Sequence, residues 1–167
     1  MTFFNAQSVI VRVFSSIASN GLKAILGFSS TMIIARHLDP SGYGDLMFLF
    51  GAFISLRQIF DLGASNAFFT FLSEGMKSKN YYLLYFLWLA VQFFLITMLI
   101  FIILPDAWYE KIWLNHDRLI VFLAFFAVFM QQQIWQTFVQ ICEAFRQTIR
   151  VQLASLIIAI FYLISLI

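Results

Sequence analysis

Apolar residues in this chain come in five long runs separated by short polar connections. The first covers about 9–34 and is interrupted by Arg12 and Lys23. A connection dense in turn residues follows, from Ala35 through His37, Asp39, Pro40 and Gly42 to Gly44. The second run covers about 46–72, with Gly63 placed to bend it. Two courses fit residues 64–72, a continued crossing or a segment lying at the interface. A hydrophilic loop from Glu74 to Asn80 leads to the third run, 83–104, which is free of charge and ended by Pro105. The loop 106–118 mixes acids with Trp108, Tyr109 and Trp113, a composition expected where a helix meets lipid headgroups. The fourth run covers about 119–142. The fifth begins near 151 and is still apolar at Ile167. About 20 helical residues cross the roughly 30 Å apolar layer of a bilayer, so each run predicts a spanning helix. The unclosed fifth run reads as the amino-terminal part of a longer protein.

Composition sharpens this into a class. Of 167 residues, 62% are hydrophobic and 11% charged, where a soluble domain carries about a quarter charged residues. The expected fold is all-α, one polytopic transmembrane domain over 1–167. A net charge of +2 without a basic run argues against nucleic acid as a partner. The single cysteine, Cys142, permits neither an internal disulfide nor a paired-cysteine metal site, and fits a small apolar packing residue. Arg12 follows ten mixed residues and precedes too long an apolar run for a cleavable leader. With the amino terminus cytoplasmic, the inner loops hold Lys77, Lys79, Arg146 and Arg150, and the outer loops Arg36, Lys111 and Arg118. That excess of one cation favours this orientation.

Against such a background, Lys23 and Arg57 stand out. A cation near the bilayer centre costs about 2.5–3.5 kcal/mol on insertion scales, whereas one Leu or Phe returns about 0.3–0.6 kcal/mol. Each cation is therefore expected to face protein or a hydrated cavity and to meet something negative. Asp61 lies four residues beyond Arg57, so the two can pair on one helix face and simply fix packing. Lys23 has no acid three or four residues away, and its partner must come from another helix or a ligand.

Two polar stripes accompany them. Ser16, Asn20, Lys23, Gly27 and Ser30 recur at spacings of four and three on the first run. On the fourth, Gln132 or Gln133 is followed by Gln136, Gln140, Glu143 and Gln147. Helix packing through small and amide side chains explains such stripes, as does a shared hydrated cavity. His37 and His116 lie in loops without metal-ligand spacing, and His116-Asp117 reads as a solvated pair. Neither a phosphate-binding loop nor a nucleophile elbow is present in the sequence, and no metal or cofactor is expected.

The segment Ser19 to Glu74 resembles the amino-terminal signature of Wzx-type O-antigen and polysaccharide flippases, in the multidrug/oligosaccharidyl-lipid/polysaccharide exporter superfamily. The residues that carry it are Asn20-Gly21-Leu22, Ile34 to Pro40 leading to Tyr43-Gly44, Asp61-Leu62-Gly63-Ala64, and Phe69 to Glu74. Asp39 stands where the family usually has glycine. Leu56 to Phe60, with Gly63-Ala64 and Ala67-Phe68, is similar to the second-helix segment of lipid II flippases. Beyond Tyr82 only the hydrophobic layout matches.

The resemblance implies a partial amino-terminal lobe of a two-lobed fold of twelve to fourteen spans. It implies translocation of an undecaprenyl-diphosphate-linked oligosaccharide across a bacterial inner membrane, without covalent chemistry. Lys23 and Arg57 would meet the diphosphate, and Asn20, Gln136 and Gln140 would offer hydrogen bonds to sugar. Glycan polymerase and chain-length proteins join membrane lipid among the implied partners. Two other classes stay open: a small-molecule antiporter of the same superfamily, with Asp61 as the one deep acid, and a membrane-embedded enzyme of glycan assembly. The enzyme would need large loops carrying acids or histidines. A non-transporting accessory protein is a third alternative if the chain is complete.

Overall fold

The computed structural model describes residues 3–75, 77–145 and 147–166. Arg146 and Ile167 lie outside the described residues, as does the side chain of Arg12. The architecture is all-α, with no strand among the described residues. Helix α1 is Phe3–His37, α2 Pro40–Asp61, α3 Ala64–Ser73 and α4 Lys79–Met98, the last continued by a π-helical segment Leu99–Ile103. Then come α5 Asp106–Ile112, α6 Arg118–Phe129, a second π-helical segment Met130–Trp135, α7 Gln136–Ala144 and α8 Thr148–Ser165. Four helical stretches are long and apolar enough to cross a membrane, and a fifth if α2 and α3 together form one bent span. The chain is a multi-pass membrane protein.

Local chemistry explains most boundaries. Only Leu38 and Asp39 separate α1 from α2, so the expected connection over 35–44 is mostly helical. Pro40 opens α2 because its missing N–H would have no partner in a first turn. The second run is not straight. α2 and α3 meet at 62°, where Leu62 and Gly63 both take left-handed conformations, φ 49° and 81°. No atom crowds a Cβ at Gly63, so its backbone angle and not space is what asks for glycine. Leu62 pays about 1–2 kcal/mol for the same region. The loop expected over 106–118 contains α5, which ends where Leu114 and Asn115 turn left-handed.

By its contacts the chain divides into two compact units, Met1–Tyr43 with Cys142–Ile167, and Gly44–Ile141. In the first unit α1 packs along α8. Its buried polar positions are Ser19, Ser30 and Gln152, and most of its large apolar residues are exposed, as a lipid-facing helix pair requires.

In the second unit aromatic packing builds the core. Phe53 stacks on Trp113 at 4.9 Å, Phe68 stacks on Tyr85 at 3.9 Å, and Phe93 lies 5.4 Å from Phe125 and 5.1 Å from Phe129. Inside a bilayer such contacts gain by close packing and not by escape from water, since lipid is as apolar as the core. Of the three aromatics in the loop 106–118, Trp108 is exposed and suits an interface, whereas Tyr109 and Trp113 are buried. Arg118 covers the Tyr109 ring at 4.7 Å and donates to the carbonyls of Ile100 and Phe101 at 3.1 and 2.7 Å. Those carbonyls lose regular partners where the π-helical turn ends the span. Burial pushes the Tyr109 phenol up from its ordinary value, against the opposing pull of the Arg118 charge.

Candidate functional site

Both interior cations are half-buried, and each is held by an amide oxygen. In the first unit, Lys23 of α1 donates through Nζ to Oε1 of Gln152 on α8, at 2.7 Å. The partner does come from another helix, but it is neutral. The inward-facing line on α1 runs through buried Ser19 and Ser30 with half-buried Lys23 between them. Asn20 lies about 100° around the helix from Ser19 and is exposed, so the structure does not bring it to the Lys23–Gln152 contact.

In the second unit, Arg57 on α2 donates through Nε to Oε1 of Gln133. Its two terminal amino groups engage no acceptor among the described residues. The direct pairing with Asp61 that the spacing allows does not form: the ion pairs of the described residues are Lys77–Glu74 and Arg118–Asp106, and His116 also lies 3.2 Å from the Asp45 carboxylate. The reason is the helix break. Asp61 is the last residue of α2 and turns its carboxylate to the start of α3. There it accepts from the Ser65 N–H at 3.3 Å and from Ser65 Oγ at 2.6 Å, serving an N–H that the helix cannot satisfy itself.

Gln133 joins the two charges. Its oxygen takes the guanidinium, and its Nε2 donates to Asp61 Oδ1 at 3.5 Å and to Gln92 Oε1 at 3.3 Å. A flipped amide would set donor against donor, so the network fixes its orientation. Gln92 in turn donates to the Phe60 carbonyl at 3.1 Å, one of the acceptors freed where α2 ends. From Ser65 a hydroxyl chain continues: Ser65 Oγ to Tyr85 OH at 3.1 Å, Tyr85 OH to Thr137 Oγ1 at 3.4 Å, and Thr137 to the Gln133 carbonyl at 2.7 Å. Asp61, Ser65, Tyr85, Gln92, Gln133 and Thr137 are all buried, and Asp61 is the only buried carboxylate among the described residues.

Gln133 can reach this centre because it sits in the π-helical segment between α6 and α7. Such a turn adds a residue and shifts everything beyond it around the helix axis, a device concentrated at functional sites. The shift corrects the expected glutamine stripe. Gln133 and Thr137 are buried while Gln136 is exposed, so Gln136 leaves the polar centre. Gln140 is half-buried, and its Oε1 lacks a hydrogen-bond partner among the described residues.

Reading by spacing missed Gln92, Ser65, Tyr85, Thr137 and Gln152. Gln92 carried a usable signal, as the only amide in 22 otherwise apolar or hydroxylic residues. The hydroxyls carried none, because serine, threonine and tyrosine occur freely in spanning helices. Among the described residues no group of three His, Cys, Asp or Glu could hold a metal ion. In comparisons with known proteins, no family model, no curated protein and no solved structure matches the chain.

Proposed function

We propose that this protein carries an anionic, lipid-linked saccharide across a bacterial inner membrane, with Lys23 and Arg57 receiving its phosphates. The observation that supports the reading is that both interior cations rest on neutral amides and not on carboxylates. An ammonium neutralised by an acid has no charge left to offer. One steadied by an amide oxygen keeps its full charge and most of its donors. Holding two such cations in spanning helices costs about 5–7 kcal/mol on insertion scales, a penalty that an anionic ligand can return. At about 4 Å and an effective dielectric constant near 20, each charge pair gains roughly 4 kcal/mol.

In this reading the cargo is an undecaprenyl-diphosphate-linked oligosaccharide, the amino terminus is cytoplasmic, and transport proceeds by alternating access without covalent chemistry. Gln140, with its unpartnered oxygen, is the remaining sugar-binding candidate of the fourth span. The test is movement of a fluorescent polyprenyl-diphosphate sugar between leaflets of proteoliposomes. Lys23→Ala and Arg57→Ala are each expected to slow it at least tenfold while helicity is retained. Unchanged rates in both would remove the cations from the mechanism.

A second reading, a cation-coupled antiporter of small molecules, gains from the absence of a direct Arg57–Asp61 ion pair, which leaves the deep carboxylate free to cycle. Such a transporter would tolerate Arg57→Ala and lose activity in Asp61→Asn.

A further inference from the structure

Between α3 and α4 lies an apolar groove of about 440 Å³ that the polar network leaves unused. One wall is the face of α3 that carries Ala64, Ala67 and Phe71, and the other is the face of α4 that carries Leu84, Trp88 and Val91. Spacings of three and four keep each set on one side of its helix. The two alanines are too short to fill the space, so the walls stay apart. Buried Phe68 closes the inner side, stacking on Tyr85 at 3.9 Å and on Tyr81 at 5.4 Å. Both phenol hydroxyls are already engaged, Tyr81 with the Phe68 carbonyl and Tyr85 with Ser65, so the groove offers ring faces and hydrocarbon.

Hydrophobicity alone selects no occupant here, because lipid tails are as apolar as leucine. Shape and charge do. From Tyr81 to Val91 the groove follows α4 for about 15 Å, half of a roughly 30 Å apolar layer. Spread over that length, its volume makes a channel roughly 6 Å across, which admits one hydrocarbon chain and not a helix of about 10–12 Å. The end at Phe71 and Tyr81 meets the loop between the two helices, and that loop is cationic. Lys77 holds its ammonium 5.9 Å from the centre of the Phe71 ring, and Lys79 opens α4 with an exposed side chain. One acid stands against them, Glu74 at 3.5 Å from Lys77, so one positive charge is in excess. Ser78 and Asn80, both exposed, add hydrogen-bonding side chains at the same end.

From this combination we infer that the groove between α3 and α4 is a binding site for an anionic glycerophospholipid. One acyl chain lies along the groove, and the phosphate sits at Lys77 and Lys79. The site goes beyond the transport reading and does not depend on it, since neither Lys23 nor Arg57 takes part. A chain in the groove lies against the ring of Tyr85, whose hydroxyl joins Ser65 in the first turn of α3. An occupied groove therefore braces α3 against α4 beside the break at Leu62 and Gly63. Lipid that merely surrounds the protein would show no such preference for charge.

Trp88, in the wall of the groove, reports on its occupant. The full chain is reconstituted in vesicles of phosphatidylcholine and phosphatidylglycerol, with one lipid at a time carrying brominated acyl chains that quench tryptophan on contact. The Trp88 contribution is the difference between the unaltered chain and Trp88→Phe. Brominated phosphatidylglycerol is expected to quench it as though enriched about fivefold over its share of the bilayer, the worth of one net cation at a lipid surface. Lys77→Gln combined with Lys79→Gln, in a loop outside the helix packing, should abolish the enrichment and leave ordinary quenching by both lipids. Ala67→Phe, which fills the groove, should also return quenching to bulk composition. Quenching that follows bulk composition in the unaltered chain, or an enrichment that survives loss of both lysines, would overturn the site. So would displacement by a polyprenyl phosphate in preference to phosphatidylglycerol, which would assign the groove to a polyprenyl chain. Trp88 emission unmoved by either lipid would mean that protein covers the groove, and would overturn it as well.

Discussion

Lys23 and Arg57 pose the same physical problem and the two units of the molecule solve it differently. In the first unit one amide, Gln152, steadies the ammonium, and among the described residues nothing acidic is attached to that contact. In the second unit an amide also makes the contact, but Gln133 passes the interaction on to Asp61, Gln92 and two helix termini. The first arrangement is a local brace made by one contact. The second ties the cation to a buried carboxyl group and to the break between two helices. One cation is positioned by a single partner, whereas the other is positioned by a network that also braces the fold.

The contrast is breakable in order of expected effect. Gln133→Leu removes three hydrogen bonds at once, to Arg57, Asp61 and Gln92, and leaves Asp61 to Ser65 alone. Interhelical hydrogen bonds in membranes average about 0.6 kcal/mol, so the loss approaches about 2 kcal/mol. Denaturant or detergent unfolding measures it, and a loss below 0.5 kcal/mol would show that the network is decorative. Gln152→Leu is expected to cost only about 0.6 kcal/mol in the same assay, since one contact is lost and Lys23 can reach toward water. A double-mutant cycle with Lys23→Met should return a coupling of about that size, and equal costs for the two glutamines would erase the distinction between the units.

The smallest effect lies outside the spans. Burial raises the Tyr109 phenol, so the folded state holds its proton where the unfolded chain releases it. Stability is therefore untouched below the ordinary tyrosine value of about 10 and falls as pH rises beyond it. Tyr109→Phe should flatten that alkaline decline, and an unchanged profile would place its cause elsewhere.

The helices were legible because a bilayer demands long apolar runs, and no soluble alternative could hide so many phenylalanines. The bend was legible at Gly63, though not its partner Leu62, a residue that enters the left-handed region only when its surroundings compel it. Legibility failed where a single residue of register mattered. Spacings of three and four presume an unbroken helix, and the π-helical turn at Met130–Trp135 moved Gln136 out and Thr137 in. The Arg57–Asp61 pairing failed for a different reason: both residues share a face of α2, but the break after Asp61 offers its carboxylate the Ser65 N–H and hydroxyl, and Gln133 stands between it and Arg57.

What the sequence determined by itself is the solvent: apolar length, sparse charge and interrupted runs put these helices in lipid and made every interior charge an anomaly. Only tertiary structure decided what each anomaly touches. Gln152 is 129 positions from Lys23 and Gln133 is 76 from Arg57, separations across which no local pattern carries information. Periodicity reports which face of a helix turns inward. The partner waiting there is chosen by packing, because a donor buried in hydrocarbon takes whichever acceptor the neighbouring helix presents.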